Sequence, residues 1–186
     1  MKRCTWAEQE NMRKYHDKEW GVPVFDDKKL FEFLVLEGAQ AGLSWSTVLN
    51  KREGYRKAFT NFNVKKVAKM TDAELEKLLL DPSIIRNRLK VFSARKNALA
   101  FLAVQKEFGS FSKYIWGFVK GKPIQNKIKK MTDLPATTPL SDMISKDMKK
   151  RGFTFVGSTI MYAHMQATGM VNDHETKCFR YKEVQK

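Results

Sequence analysis

Nowhere in the 186 residues does an apolar run approach the ~20 that a helix needs to cross a bilayer, so no membrane partner is expected. The opening Met1-Lys2-Arg3-Cys4-Thr5-Trp6 also lacks the apolar stretch of a secretory signal, and the expected location is the cytoplasm. Cysteine is scarce. The 2 present, Cys4 and Cys178, are too few for a disulfide scaffold or for a four-cysteine iron–sulfur cluster. Acidic residues are the other shortage: 20 Asp and Glu stand against 35 Lys and Arg, leaving a formal charge of +15. A field of that sign makes nucleic acid the first partner to consider, although a basic surface can serve solubility alone. Alternating strand patterns and internal repeats are missing as well. A single all-α domain spanning residues 1–186 is therefore expected.

What is present has helical spacing with caps in place. Leu30, Phe31, Leu34 and Ala41 form a stripe after Asp26-Asp27, with Gly42 as a stop. Ser44 is expected to cap a helix through Val48, Leu49, Tyr55 and Phe59. Thr71 with Glu74 forms a capping box for a short helix ended by Asp81-Pro82. From Ile84 the spacing continues to Gly109, and a shorter piece covers Phe111 to Phe118. Residues 120–139, with several lysines and three prolines, read as a long basic surface loop. Helices are then expected from Ser141 to Lys150 and from Ser158 to Gly169.

Three constellations carry chemistry. His174 and Cys178 are four apart, and Cys4 and His16 supply a second pair. Four N and S ligands suit one closed, structural zinc site joining the two terminal segments, with a Cys4–Cys178 disulfide as the competing reading. His164 reads as a core or surface histidine. Second, Lys149-Lys150-Arg151-Gly152-Phe153-Thr154-Phe155-Val156-Gly157-Ser158 joins two helices by a glycine-flanked turn. Such a turn can hold a DNA phosphate on the amides that open the second helix, or be an ordinary tight turn. Arg86, Arg88 and Lys90 are further candidates for phosphate contact or for a solvated face. Third, Glu37 falls beside the apolar stripe, where an unpaired carboxylate is costly. It is either a structural carboxylate or, with Gln40 and the aromatics Trp6, Tyr15, Trp20 and Trp45, part of a cage for a flat cationic base.

Long irregular strings bear on these alternatives. Cys4-Thr5-Trp6, Tyr15 to Pro23, Leu36 to Trp45, Lys149 to Gly157 and Gln166 to His174 closely resemble the bacterial DNA-3-methyladenine glycosylase I family, from end to end of the chain. The resemblance implies a helix-hairpin-helix glycosylase fold whose DNA-binding element spans about residues 141–170. It implies zinc on Cys4, His16, His174 and Cys178, and a base pocket at Glu37 with Tyr15, Trp45, Trp6 and Trp20. It also implies a DNA-inserting turn at Gly42-Leu43. The expected activity is monofunctional: release of free 3-methyladenine from alkylated double-stranded DNA after base flipping, by a monomer without lyase chemistry. Glu37 is then the reader of the base and the one catalytic candidate. Asp173, in the region where related hairpin glycosylases place an Asp, reads as structural. The competing class is a catalytically silent, zinc-stapled module that binds damaged DNA.

Overall fold

The computed structural model describes residues 1–185, and helices dominate it. Helix α1 (Glu10–Lys18) leads to α2 (Asp27–Gln40), which is buried from Leu30 to Ala39 and forms the axis of the core. The two aspartates at its start act differently. Asp26 caps α2 by accepting from the Lys29 amide at 2.8 Å. Asp27 instead accepts from the amides of Phe111 and Ser112 at 2.9 and 2.8 Å, satisfying the first turn of α8 (Phe111–Gly117). It also accepts from Gln105 of α7 (Arg88–Phe108). Around this junction Phe101 stacks on Phe111 at 4.1 Å and meets Phe31 edge-on.

The helix expected after Ser44 is two helices, α3 (Trp45–Asn50) and α4 (Arg52–Ala58), broken at Lys51. Next comes a left-handed run at Thr60-Asn61-Phe62, then α5 (Val64–Ala68), too short to show a period. Helix α6 (Asp72–Leu78) has the Thr71/Glu74 capping box. Helix α7 starts later than its apolar spacing suggested: Ile84 is buried from within a turn, and Asn87 supplies the cap by accepting from the Lys90 amide. Helix α9 (Pro139–Lys150) starts earlier than Ser141. Thr138 is its cap and Pro139 takes the first helical position, where a missing N–H costs nothing. Helices α10 (Ser158–Ala167) and α11 (Phe179–Glu183) complete the set.

The expectation of no strand needs correction. Ile124–Gln125 (β1) pairs in parallel with Val171–Asn172 (β2), and a further bridge joins Ile128 to Glu175. Two-residue strands are too short for alternation to show in sequence. Their effect is nevertheless large, because the basic 120–139 segment is zipped along the C-terminal strand as a strap.

His164 is wholly buried on α10, with neither ring nitrogen bonded to any group among the described residues. Burial lowers its pKa from 6.5 to about 4. The unfolded chain therefore takes up this proton first, so stability is complete above pH 6.5 and falls as the pH drops toward 4. The loss is about 3 kcal/mol at ~1.4 kcal/mol per unit. Denaturant titrations across this range should show a flatter acid limb for His164→Leu; an unaltered limb would assign the acid sensitivity elsewhere.

Candidate active site and metal-binding cluster

The end of α2 and the N-terminal segment enclose a cavity of about 220 Å³. It exceeds the ~150 Å³ that holds a benzene ring, so it has room for a flat heterocycle. Trp6, Tyr15, Trp20 and Trp45 wall it, with Glu37 and Gln40 from α2 between them, so all six residues expected around a base are brought together. The aromatics meet at angles, Tyr15 with Trp45 at 5.4 Å and Trp6 with Trp20 at 5.0 Å, and leave a slot between them. Met12, Met131, Leu134, Ala163 and Gln166 also line it and were missed by sequence reading. Met131 and Leu134 arrive on the strap, whose docking no local pattern signals.

Two buried glutamates on the same helix show what is unusual here. Glu32 ion-pairs with Arg52 at 2.8 Å and with Lys29 and Arg56 at 3.0 Å. Burial alone would raise its pKa, and Arg52 and Lys29 bring it below the ordinary value. Glu37, 3% exposed, has no such partner among the described residues; burial, its sole influence, raises the pKa from 4.5 to about 8. Trp45 also leaves its indole N–H buried and unbonded. A structural carboxylate would have been given partners.

The predicted ligands do meet. Cys4 Sγ, His16 Nε2, His174 Nδ1 and Cys178 Sγ all lie within 4.8 Å of one another, fully buried, and can hold one metal ion. Both cysteines are free, which removes the disulfide reading. Each imidazole is oriented through its other nitrogen: His16 Nδ1 by Asp17 at 2.8 Å, itself gripped by Arg3, and His174 Nε2 by the Trp20 carbonyl at 3.1 Å. The cluster and the cavity share a wall. Trp20 packs edge-on to His174 at 4.6 Å, and Trp6 to His16 at 5.3 Å.

The turn between α9 and α10 is clamped by Asn97, which donates to the Thr154 carbonyl and accepts from its amide. Lys149, Lys150 and Gly152 are exposed there, with Gly157 and Ser158 at the start of α10. Ser158 is bonded to Ser141 and to Asp142. Arg151 is committed internally, paired with Glu107 and Asp147 and stacked over Phe108 at 4.9 Å. Lys90 is likewise engaged, donating to the Ala39 and Ala41 carbonyls at the end of α2. Arg88 pairs with Glu76, and Arg86 is exposed. Gly42, in the left-handed region, and Leu43, 41% exposed, project from the turn after α2.

Residues 5–181 match the methyladenine glycosylase family. The chain belongs to that family. It is 50% identical to a DNA-3-methyladenine glycosylase of Haemophilus influenzae over 95% of this chain and 96% of the relative. A crystal structure of 3-methyladenine DNA glycosylase I superposes with a TM-score of 0.93 at 47% identity, covering 96% of this chain and 98% of that one. A Tyr-to-Phe variant of such an enzyme in complex with 3-methyladenine gives the same TM-score of 0.93 at 34% identity, covering 96% and 97%.

In this methyladenine glycosylase the unpaired Glu37 should weaken the fold. A carboxyl whose folded pKa is raised from 4.5 to about 8 costs stability as pH rises between those values, reaching about 3 kcal/mol at pH 7. Glu37→Gln should therefore be more stable than the parent at pH 7 and equal to it at pH 4, as read by urea denaturation. Destabilisation at pH 7 would mean that Glu37 has a structural partner after all.

Proposed function

We propose that this chain is a base excision repair enzyme that flips 3-methyladenine out of alkylated double-stranded DNA and hydrolyses its N-glycosidic bond. The observation that carries the reading is the unpartnered Glu37 inside a slot of four aromatic side chains. Methylation at N3 makes the base cationic and lets it leave as a neutral molecule, so little acid catalysis is required. The protein's work is to offset a few kcal/mol of unstacking and to hold the flipped base. The aromatic faces stack on a flat base and attract its charge. Glu37 reads its edge. Protonated, the carboxyl offers one donor and one acceptor, matching the N7 acceptor and N6 donor of adenine; ionised, it is the counter-charge of the cation. No lysine lines the cavity among the described residues, in keeping with hydrolysis without a lyase step.

Grip on DNA is assigned to the α9–α10 turn as a helix-hairpin-helix element. Gly157 supports this. Its φ of −59° suits any residue, and a Cβ there would meet nothing within 4 Å, so neither conformation nor internal packing calls for glycine. A phosphate approaching the opening amides of α10 would call for it. Lys149 and Lys150 add charge beside it. Leu43 is the apolar wedge that fills the gap left in the stack.

The metal is proposed to be zinc. With Zn–S near ~2.3 Å and Zn–N near ~2.0 Å, tetrahedral S–N separations come to roughly 3.5 Å. The separations here are 3.5, 3.4 and 3.7 Å. Cys4, His16, His174 and Cys178 would fill all four positions, so zinc would supply structure rather than a reactive water. The protein is proposed to act as a cytoplasmic monomer.

Release of free 3-methyladenine from methylated DNA is the decisive assay. The wild type should release it, and Glu37→Gln should be slower by ten- to a hundredfold, about 1.4–2.8 kcal/mol. No release by the wild type would leave a silent damage-binding module instead. Gly157→Ala should lose at most a few degrees of melting temperature, the cost of alanine at a helix N-cap, but lose DNA affinity, and the Lys149→Ala, Lys150→Ala double variant should show a shallower salt dependence of binding. Unchanged affinity and salt slope would remove the hairpin from the interface. Elemental analysis should find about one zinc per chain, lost in Cys4→Ser; a metal-free protein of full stability would exclude it.

A further inference from the structure

Asp173 is buried beside His174 and is saturated by side-chain donors: the Tyr162 hydroxyl at 2.6 Å, Gln166 Nε2 at 2.8 Å and Asn126 Nδ2 at 2.6 Å. It does not line the cavity; Gln166 does. A carboxylate accepts and does not donate, so the Gln166 amide must turn its nitrogen toward Asp173. Its oxygen then points away, and Oε1 makes no hydrogen bond with any described residue. Reversing the amide would set that oxygen against the Asp173 carboxylate. Tyr162 remains a donor in this network, since burial and the neighbouring Asp173 both raise its pKa.

The geometry points to Gln166 as a specificity-determining residue that offers a carbonyl acceptor to the exocyclic amino group of the flipped base, with Asp173 as the positioning residue that fixes the amide. This rests on the proposed excision of 3-methyladenine. The amino group carries two N–H bonds, so Gln166 can be served alongside Glu37. A 6-oxo purine would place an oxygen against Oε1 and leave two acceptors facing each other, which a dry site penalises. The consequence is discrimination at purine position 6.

Binding of free 3-methyladenine and free 3-methylhypoxanthine, its 6-oxo counterpart, can be followed by quenching of the tryptophans around the slot. The wild type should favour the amino compound by at least about tenfold, the worth of one hydrogen bond in such a site. Gln166→Met, which leaves the metal ligands untouched, should lower that ratio severalfold, down to the part that Glu37 supplies, and Asp173→Asn should reduce it by freeing the amide to turn. Tyr162→Phe, which keeps the Gln166–Asp173 bond, should leave it in place. A ratio unaltered in Gln166→Met overturns the inference, and so does slower base release from DNA with the ratio intact, because Gln166 would then act on the sugar side. A wild type that discriminates less than this overturns it too. If the wild type neither binds nor releases 3-methyladenine, the proposed excision itself fails and the inference falls with it, a result distinct from any change in ratio.

Discussion

Everything at the active site leans on the junction of Cys4 and His16 with His174 and Cys178. Trp6 and Trp20 are two walls of the aromatic slot, yet their own segment contributes little else to the main core. They stand on the two imidazoles, and the Trp20 carbonyl meets His174 directly. Around this point Thr5 bonds Glu175, Phe179 bonds Lys2, and Arg3 braces Asp17 behind His16. The junction is therefore part of the slot's wall as well as a staple between distant segments. Loosening it would move the aromatics before it unfolded the helices.

The slot itself is built by withholding partners. Glu32 and Glu37 lie on one helix, both buried, and differ in that the first is surrounded by cations and the second is not. Gly157 follows the same logic at the proposed DNA face, where neither its φ nor the packing around it requires a glycine. Features without an internal reason point to something outside the chain. The unpaired Glu37 also reduces stability, as residues at functional sites commonly do.

The helical core was legible because it obeys local rules. The Thr71/Glu74 box, the Ser44 cap and the Gly109 stop stand where spacing and capping chemistry place them. Of the cavity residues on the first two helices, Tyr15, Glu37 and Gln40 were legible as well, through the anomaly of Glu37 near an apolar stripe, and Met12 was not. What sequence could not give is long-range docking. Two-residue strands have no period, so the strap seemed a free loop, and Met131, Leu134 and Gln166 were invisible as lining. Basic residues are hard to read for a different reason: Lys90 and Arg151 stand as candidates for phosphate contact in strings of cations, and the structure adds that one donates to carbonyls at a helix end and the other pairs with two carboxylates. Charge in sequence does not reveal which cations are already spoken for.

The strap has a further consequence for how the protein comes into being. Residues near 124–128 can pair with 171–175 only after the latter have been synthesised, and Cys4 and His16 must wait for the same stretch. The α2–α7–α8 core can condense earlier from contacts closer in sequence, whereas the slot needs closures across nearly the whole chain, which are slow to form. Completion of the slot thus arrives last. A partly made chain at the ribosome would hold folded helices and exposed indoles but no finished slot, and it is in that interval that Trp6 and Trp20 are most open to off-pathway association.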